Sequence, residues 1–369
     1  MVFSIREINN KDKELIQNFN NELKVNGYSF KLPFSDKVAS KKDFIVNKHF
    51  ILTENNNLVK AGYTLKQQWF KINADVVKVG YYYNPITAGL FNKKYNICGL
   101  LLLNDAEKKN SNLFSLGMGS YSNSLPKLLK ALKWKLKKVP FFFRITNPNN
   151  FLENINYFKS TKLRSLIINL LQKTGLGWVF IKFIFFTTSL QNSIFNKKNE
   201  IICKEVNFFN NEVNDIWENT KKNNSFIALR NSEYINSLYN NDKFIKLRFT
   251  ENNKIVGWSI SLCNKVHNHK FFGNMCLGSV VDNLSLKGKE SAIINQTFKF
   301  LENKGADLVV TNQSHRLWKK AFWKNGFIRG PSNFIFASSS FLSKKMGFNT
   351  RLNNDVHITR GDGDGPINL

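Results

Sequence analysis

The sequence predicts a mixed α/β protein of the α+β kind: two domains, each a mixed, mostly antiparallel sheet flanked by helices, with one order of elements used twice. Three observations carry this. Residues 254–338 run through two apolar strands, a helix, a short apolar strand, a second helix and a last strand. Residues 2–145 follow a similar order with little residue identity, so the repeat is one of pattern. The chain has 369 residues, 42% of them hydrophobic and 34 of them Phe, enough to fill two cores. The expected boundaries are a first domain over 1–150, an apolar linker over 151–200, a second domain over 201–345 and a Gly/Asp-rich tail over 346–369.

In the first half, alternation over residues 2–8 predicts a strand. Asn10 is placed to cap a helix that carries Leu15, Ile16, Phe19 and Leu23 and stops at Asn26-Gly27. Residues 50–53 and 58–65 read as a hairpin around Asn55-Asn56-Asn57, because asparagine tolerates left-handed backbone. A third strand over 76–83 is expected to halt at Asn84-Pro85, since proline cannot donate to a ladder. A helix over 100–106, a strand over 113–119, a helix over 125–132 and a strand over 135–145 complete the half.

The second half is more explicit. Strands over 255–262 and 275–282 flank a His/Asn/Lys turn, and a polar loop over 283–289 leads to a helix that opens near Ser291. Apolar residues recur at helical spacing through Leu301, and Gly305 stands at the expected C-cap. A short apolar strand over 306–310, a helix over 314–324 closed by Asn325-Gly326, and a strand over 327–338 follow. Ala61-Gly62-Tyr63 in the first half answers Val256-Gly257-Trp258 here.

This second set of elements resembles the acyl-CoA-dependent N-acetyltransferase (GNAT) fold over residues 254–338. The resemblance rests on the loop Leu286-Lys287-Gly288-Lys289-Glu290-Ser291-Ala292 and on the corner Ala321-Phe322-Trp323-Lys324-Asn325-Gly326-Phe327. In that family a Q/R-x-x-G-x-G/A loop holds the pyrophosphate of coenzyme A. A helix N-terminus offers it unpaired N–H donors and the positive end of a dipole. The resemblance implies acetyl-CoA, or another acyl-CoA, at Lys287, Gly288, Lys289, Ser291 and Ala292, with Asn96 and Gly99 in the matching first-half loop. Gly288 fills the first glycine position, Glu290 stands where the second is expected, and Asn96 and Cys98 replace small residues in the first half. No metal is expected.

Acyl transfer to an amine needs a held donor, a base for the ammonium and donors for the oxyanion. The resemblance places the thioester in an opening between splayed central strands, which makes Asp282, Asn312 and His315 the catalytic candidates, Asp282 as the base. Each also has a plain structural reading: Asp282 a turn cap, Asn312 a helix cap, His315 a surface histidine. Tyr81, Tyr82, Tyr83 and Tyr121 can donate protons or stack on a sugar, or simply form a core face. No Ser-His-Asp order, paired-carboxylate spacing or Walker loop supports a hydrolase or nucleotide triphosphatase.

The formal charge of +28 invites nucleic acid, an anionic membrane surface or phosphorylated molecules as partners, and AT-rich codon usage is its competing source. Cys98, Cys203, Cys263 and Cys276 stand far apart without a C-x-x-C pair, so neither zinc nor a disulfide framework is indicated. Without a signal-peptide pattern the expected compartment is the cytoplasm, with the inner membrane face as an alternative. That alternative rests on the apolar run 165–190, too short to span, which reads as a buried linker or an interfacial segment. The Asp/Gly alternation over 357–366 lacks the further ligands of an EF-hand and is expected to fold back on the second half, with a flexible acidic tail as the alternative.

Three functions remain open. The first is a tandem GNAT-like N-acyltransferase acting on the amino group of a sugar or similar small amine, in surface polysaccharide synthesis. The second is a Fem-type aminoacyl transferase drawing on aminoacyl transfer RNA, which a basic surface suits. The third is a non-catalytic binding protein that keeps the fold.

Overall fold

The computed structural model describes residues 2–34, 44–156, 201–348 and 355–363. The apolar run 165–190 and the end of the Asp/Gly tail lie outside them. Contacts divide the chain into unit 1, Met1–Lys138 with Ile335–Leu352, and unit 2, Val139–Phe334 with Asn353–Leu369.

Unit 1 is built on β1 (Phe3–Glu7), α1 (Lys13–Val25), β2 (Val46–Glu54), β3 (Leu58–Ile72), β4 (Asp75–Thr87), α2 (Cys98–Lys109), β5 (Leu113–Leu116), α3 (Ser124–Ala131) and β6 (Lys135–Lys138). Its sheet runs β1-β2-β3-β4-β5-β15-β6, where β15 is Ile335–Ser338, and along this path β4 and β5 are the parallel pair among the described residues. Asn9, one residue before the expected cap, accepts from the Lys11 N–H and shares a capping box with Asp12. Asn55 and Asn56 take φ of 51° and 64°, the left-handed turn expected between β2 and β3. Ile16, Phe19 and Leu23 of α1 share one core with Leu102, Leu103 and Ala106 of α2 and with Ile51, Tyr63 and Tyr82 of the sheet.

Unit 2 comprises β7 (Phe141–Ile145), α4 (Pro148–Asn154), β8 (Ile202–Glu205), α5 (Val213–Lys221), β9 (Phe226–Ala228), α6 (Ser232–Leu238), β10 (Ile245–Glu251), β11 (Lys254–His269), β12 (Gly273–Ser285), α7 (Glu290–Asn303), β13 (Leu308–Asn312), α8 (Arg316–Lys324) and β14 (Ile328–Gly330). Its sheet order is β14-β7-β13-β12-β11-β10-β8, and β12 and β13 form its parallel pair. The β10–β11 turn again uses two left-handed asparagines, Asn252 and Asn253. Gly257 lets α7 press against β11, since an added Cβ would stand 2.0 Å from Ile293 Cδ1 and 2.9 Å from the Leu284 carbonyl. Gly257→Ala is therefore expected to cost about 1–3 kcal/mol in urea denaturation, the penalty of overpacking.

Three expectations are corrected. The strand expected to stop at Asn84-Pro85 continues to Thr87. Asn84 takes φ of 52° and the register slips between the Tyr83–Thr64 and Ile86–Gly62 pairs, so the missing proline donor is absorbed in a bulge. The strands expected over 135–145 and 327–338 are each two strands. β6 and β15 belong to the sheet of unit 1, whereas β7 and β14 belong to that of unit 2. Pro140 sits inside the first break and Pro331 inside the second, where neither can donate to a ladder.

Candidate functional site

In both units the parallel pair of central strands separates early. In unit 2 the β12–β13 ladder runs from Leu277–Leu308 to Val280–Thr311, and β12 continues to Ser285 beyond it. A bulge between the Ile260–Asp282 and Ser261–Val280 pairs accompanies the separation. In unit 1 the β4–β5 pairing is Gly80–Leu113 and Tyr81–Phe114, and β4 runs on to Thr87. Each unit thus has an opening of the kind the resemblance requires.

The opening of unit 2 holds its own chain. Thr359 bridges Gln313 in antiparallel fashion, and the Ser314 N–H donates to the Ile358 carbonyl at 3.1 Å. Asp282 sits fully buried beside this segment. Its Oδ2 lies 2.7 Å from Arg230 Nε and accepts from the Tyr239 hydroxyl at 2.8 Å. Its Oδ1 accepts from the Asn283 N–H at 3.0 Å and the Thr359 hydroxyl at 3.2 Å. Arg230 reaches on to Asp362 Oδ1 at 2.7 Å, and Asp362 Oδ2 accepts from the Thr359 N–H at 2.8 Å. Gly361 is required here, because a Cβ would stand 2.0 Å from the Tyr239 hydroxyl. Burial raises the Asp282 carboxyl to about 6 against the pull of Arg230, and burial holds the Tyr239 phenol well above its ordinary value. As folded, Asp282 fastens the tail segment.

Of the other two candidates, His315 lines a neighbouring pocket and Asn312 does not. His315, directly before α8, and His357 of the tail stack with ring centroids 5.7 Å apart. Both line a pocket of about 220 Å³ together with Ser285, Lys287, Glu290 and Trp318. Burial lowers His315 to about 4 and carries His357 well below its ordinary value, so both imidazoles are neutral near pH 7. Asn312 is buried at the end of β13 opposite Phe141, and its Nδ2 has no partner among the described residues. His267 and His269 stand apart, in the β11–β12 hairpin.

The two helix-start loops differ. In unit 2 the Gly288 N–H donates to the carboxylate of Glu290 at 2.9 Å, so the protein's own acid occupies a donor that a phosphate would need. Asn325 Nδ2 donates to the Ser291 carbonyl at 2.9 Å, tying the α7 start to the end of α8. Lys289 pairs with Glu251, and Ala292 packs at the edge of the core. In unit 1 the first turn of α2 carries no acid. Its first intrahelical bond runs from the Leu101 N–H to the Ile97 carbonyl at 3.1 Å, which leaves Cys98, Gly99 and Leu100 without intrahelical acceptors. Asn96 is exposed, and Gly99 faces Leu128 of α3, whose Cδ2 would lie 3.6 Å from an added Cβ. Of the tyrosines, Tyr81 and Tyr82 are core residues and Tyr121 is exposed beside Lys138.

Arg230, Tyr239, His357, Thr359 and Asp362 were not singled out as a cluster by sequence reasoning. The available signal was a lone arginine ending the apolar run Phe226-Ile227-Ala228-Leu229, the position of a charge that must find a buried partner. Among the described residues no helix is long and apolar enough to cross a membrane, and no group of three His, Cys, Asp or Glu residues is arranged to hold a metal.

No protein-family model matches the chain, and no curated protein matches it in sequence. Solved structures do match in shape. A GCN5-related N-acetyltransferase from Anabaena variabilis aligns at a TM-score of 0.50 with 9% identity, over 91% of this chain and 72% of that one. N-myristoyltransferase of Saccharomyces cerevisiae with bound myristoyl-CoA aligns at 0.48 with 10% identity, over 91% and 78%. A tandem GNAT protein from the clavulanic acid biosynthesis pathway aligns at 0.46 with 7% identity, over 91% and 98%. With the strand orders and the early separation of the parallel pairs, the likeness to the Anabaena variabilis structure gives a GNAT-like fold, in a chain whose contacts form two units, each with its own mixed sheet.

Proposed function

We propose that the chain is an acyl-CoA-dependent N-acyltransferase whose donor is held by unit 1. The observation that carries this is the contrast between the two helix starts: α2 opens beside separated strands with no acid in its first turn, whereas the Gly288 donor of unit 2 is already taken by Glu290. Asn96 and Gly99 lie at the α2 start, and Lys93 and Lys94 stand just before it in the chain. Donors at a helix start and nearby cations are what a pyrophosphate needs. The separated strands leave β4 backbone groups beyond Tyr81 to meet the rest of the donor. Acetyl-CoA is the donor we propose, and the amino group of a sugar in surface polysaccharide synthesis is the acceptor. Within unit 2 we assign Asp282 to holding the tail segment and His315 to the pocket.

The test is thermal stabilisation by acetyl-CoA. A saturating donor at about a hundred times its Kd is expected to add about 2.7 kcal/mol to stability. Gly99→Asp should abolish that gain while leaving the unliganded protein as stable as before. The new Cβ has room, a carboxylate suits the first turn of a helix, and it repels phosphate. A gain that survives Gly99→Asp sinks this placement, and salt-sensitive transfer RNA binding without any acetyl-CoA response would favour aminoacyl transfer instead.

A further inference from the structure

We propose that the pocket at the start of α7 binds a small hydroxylated primary amine of the amino sugar class, whose ammonium supplies the counter-ion that Glu290 lacks. Glu290 is 8% exposed and lines the pocket. Its carboxylate accepts the Gly288 N–H, yet among the described residues it has no ion pair. A buried carboxylate is costly unless a cation meets it, and the open side of this one faces the pocket. Lys287 lies at the exposed rim, near enough to draw the Glu290 pKa down against burial.

The remaining walls fit hydroxyl groups on a ring. His315, His357 and Ser285 line the same pocket, and their buried Nδ1, Nε2 and Oγ atoms have no hydrogen-bond partner among the described residues, although His357 Nε2 lies 4.0 Å from Asp282 Oδ1. Neutral imidazoles and a hydroxyl each serve as donor or acceptor, which matches sugar hydroxyls better than the oxygens of a phosphate. Trp318 offers an aromatic wall for the apolar face of a ring. A volume of about 220 Å³ lies below the roughly 300–1,000 Å³ of drug-sized ligand sites, so it suits one ring rather than a nucleotide. The inference uses unit 2 alone and does not depend on where the acyl donor binds.

Titration calorimetry of the full chain with D-glucosamine, D-glucose and N-acetyl-D-glucosamine tests it. Glucosamine is expected to bind about ten- to a hundredfold more tightly than the two sugars without an ammonium, the range of a charge-assisted contact. Glu290→Gln should erase that preference while keeping an acceptor for Gly288. Lys287→Ala should tighten glucosamine by removing a competing cation, the opposite of what a phosphate site would show. Equal affinity for the three sugars, no binding of any of them, or weaker glucosamine binding in Lys287→Ala overturns the proposal. Gly99→Asp should leave the glucosamine heats unchanged, so failure here is separable from failure of the donor assignment.

Discussion

Arg230→Met is expected to destabilise the protein by about 3–5 kcal/mol, the loss seen when one partner of a buried ion pair is removed. Arg230, Asp282 and Asp362 are all fully buried, and the guanidinium lies 2.7 Å from each carboxylate. Without it, Asp282 keeps only neutral donors, Tyr239, Thr359 and the Asn283 N–H, and two carboxylates share one dry site. Arg230→Lys should fall between, because an ammonium carries the charge but cannot reach both acids through a planar fork. Asp362→Asn should cost less than Arg230→Met, since it leaves one acid to one base. Urea midpoints of the four proteins decide the matter. A loss below about 1 kcal/mol for Arg230→Met would mean that the cluster contributes no more than an exposed pair.

Acid is expected to remove roughly 3 kcal/mol through His315 as pH falls from about 6.5 to 4. Burial lowers this imidazole to about 4 from an ordinary 6.5. Between those values the unfolded chain binds a proton that the folded chain refuses. Stability is therefore complete above pH 6.5 and declines as pH drops toward 4. His357 is lowered further by burial and by the charge of Arg230, and it acts in the same direction. Asp282, raised to about 6, works the other way below that pH, because the folded state then takes up the proton first. Comparison with His315→Gln separates these effects, since Asp282 is common to both proteins. Stability profiles that stay parallel between pH 7 and 4.5 would show that His315 titrates freely.

The order of elements over residues 2–138 and 254–338 was legible because each helix and strand keeps its own hydrophobic period, and the asparagines before β3 mark its turn; no element was read over 201–253, where β8, α5, β9, α6 and β10 lie. The change of sheet at Pro140 and Pro331 was not. Apolar alternation continues on both sides of each proline, and periodicity records a face, not the sheet to which that face belongs. Of the candidate site, Glu290 was visible as an acid in an anion loop, Asn312 ends β13 and His315 precedes α8, whereas Asp282 lies three residues inside β12, which runs on to Ser285 beyond the expected strand end. Their partners come from residues 230, 239, 357, 359 and 362, brought in by contacts far apart in sequence that no local pattern encodes.

The exchange of strands bears on how the protein is made. Leu116 of β5 pairs with Phe336 of β15, some 220 positions later, and β6 joins the same sheet only through β15. At the roughly 5–20 residues per second of translation, the edge of β5 waits ~10–40 s for its neighbour while the rest of the polypeptide emerges from the ribosome. An open edge for that long is an invitation to pair with another nascent chain, so chaperone supply and elongation speed should govern the yield of this protein more than its final stability does.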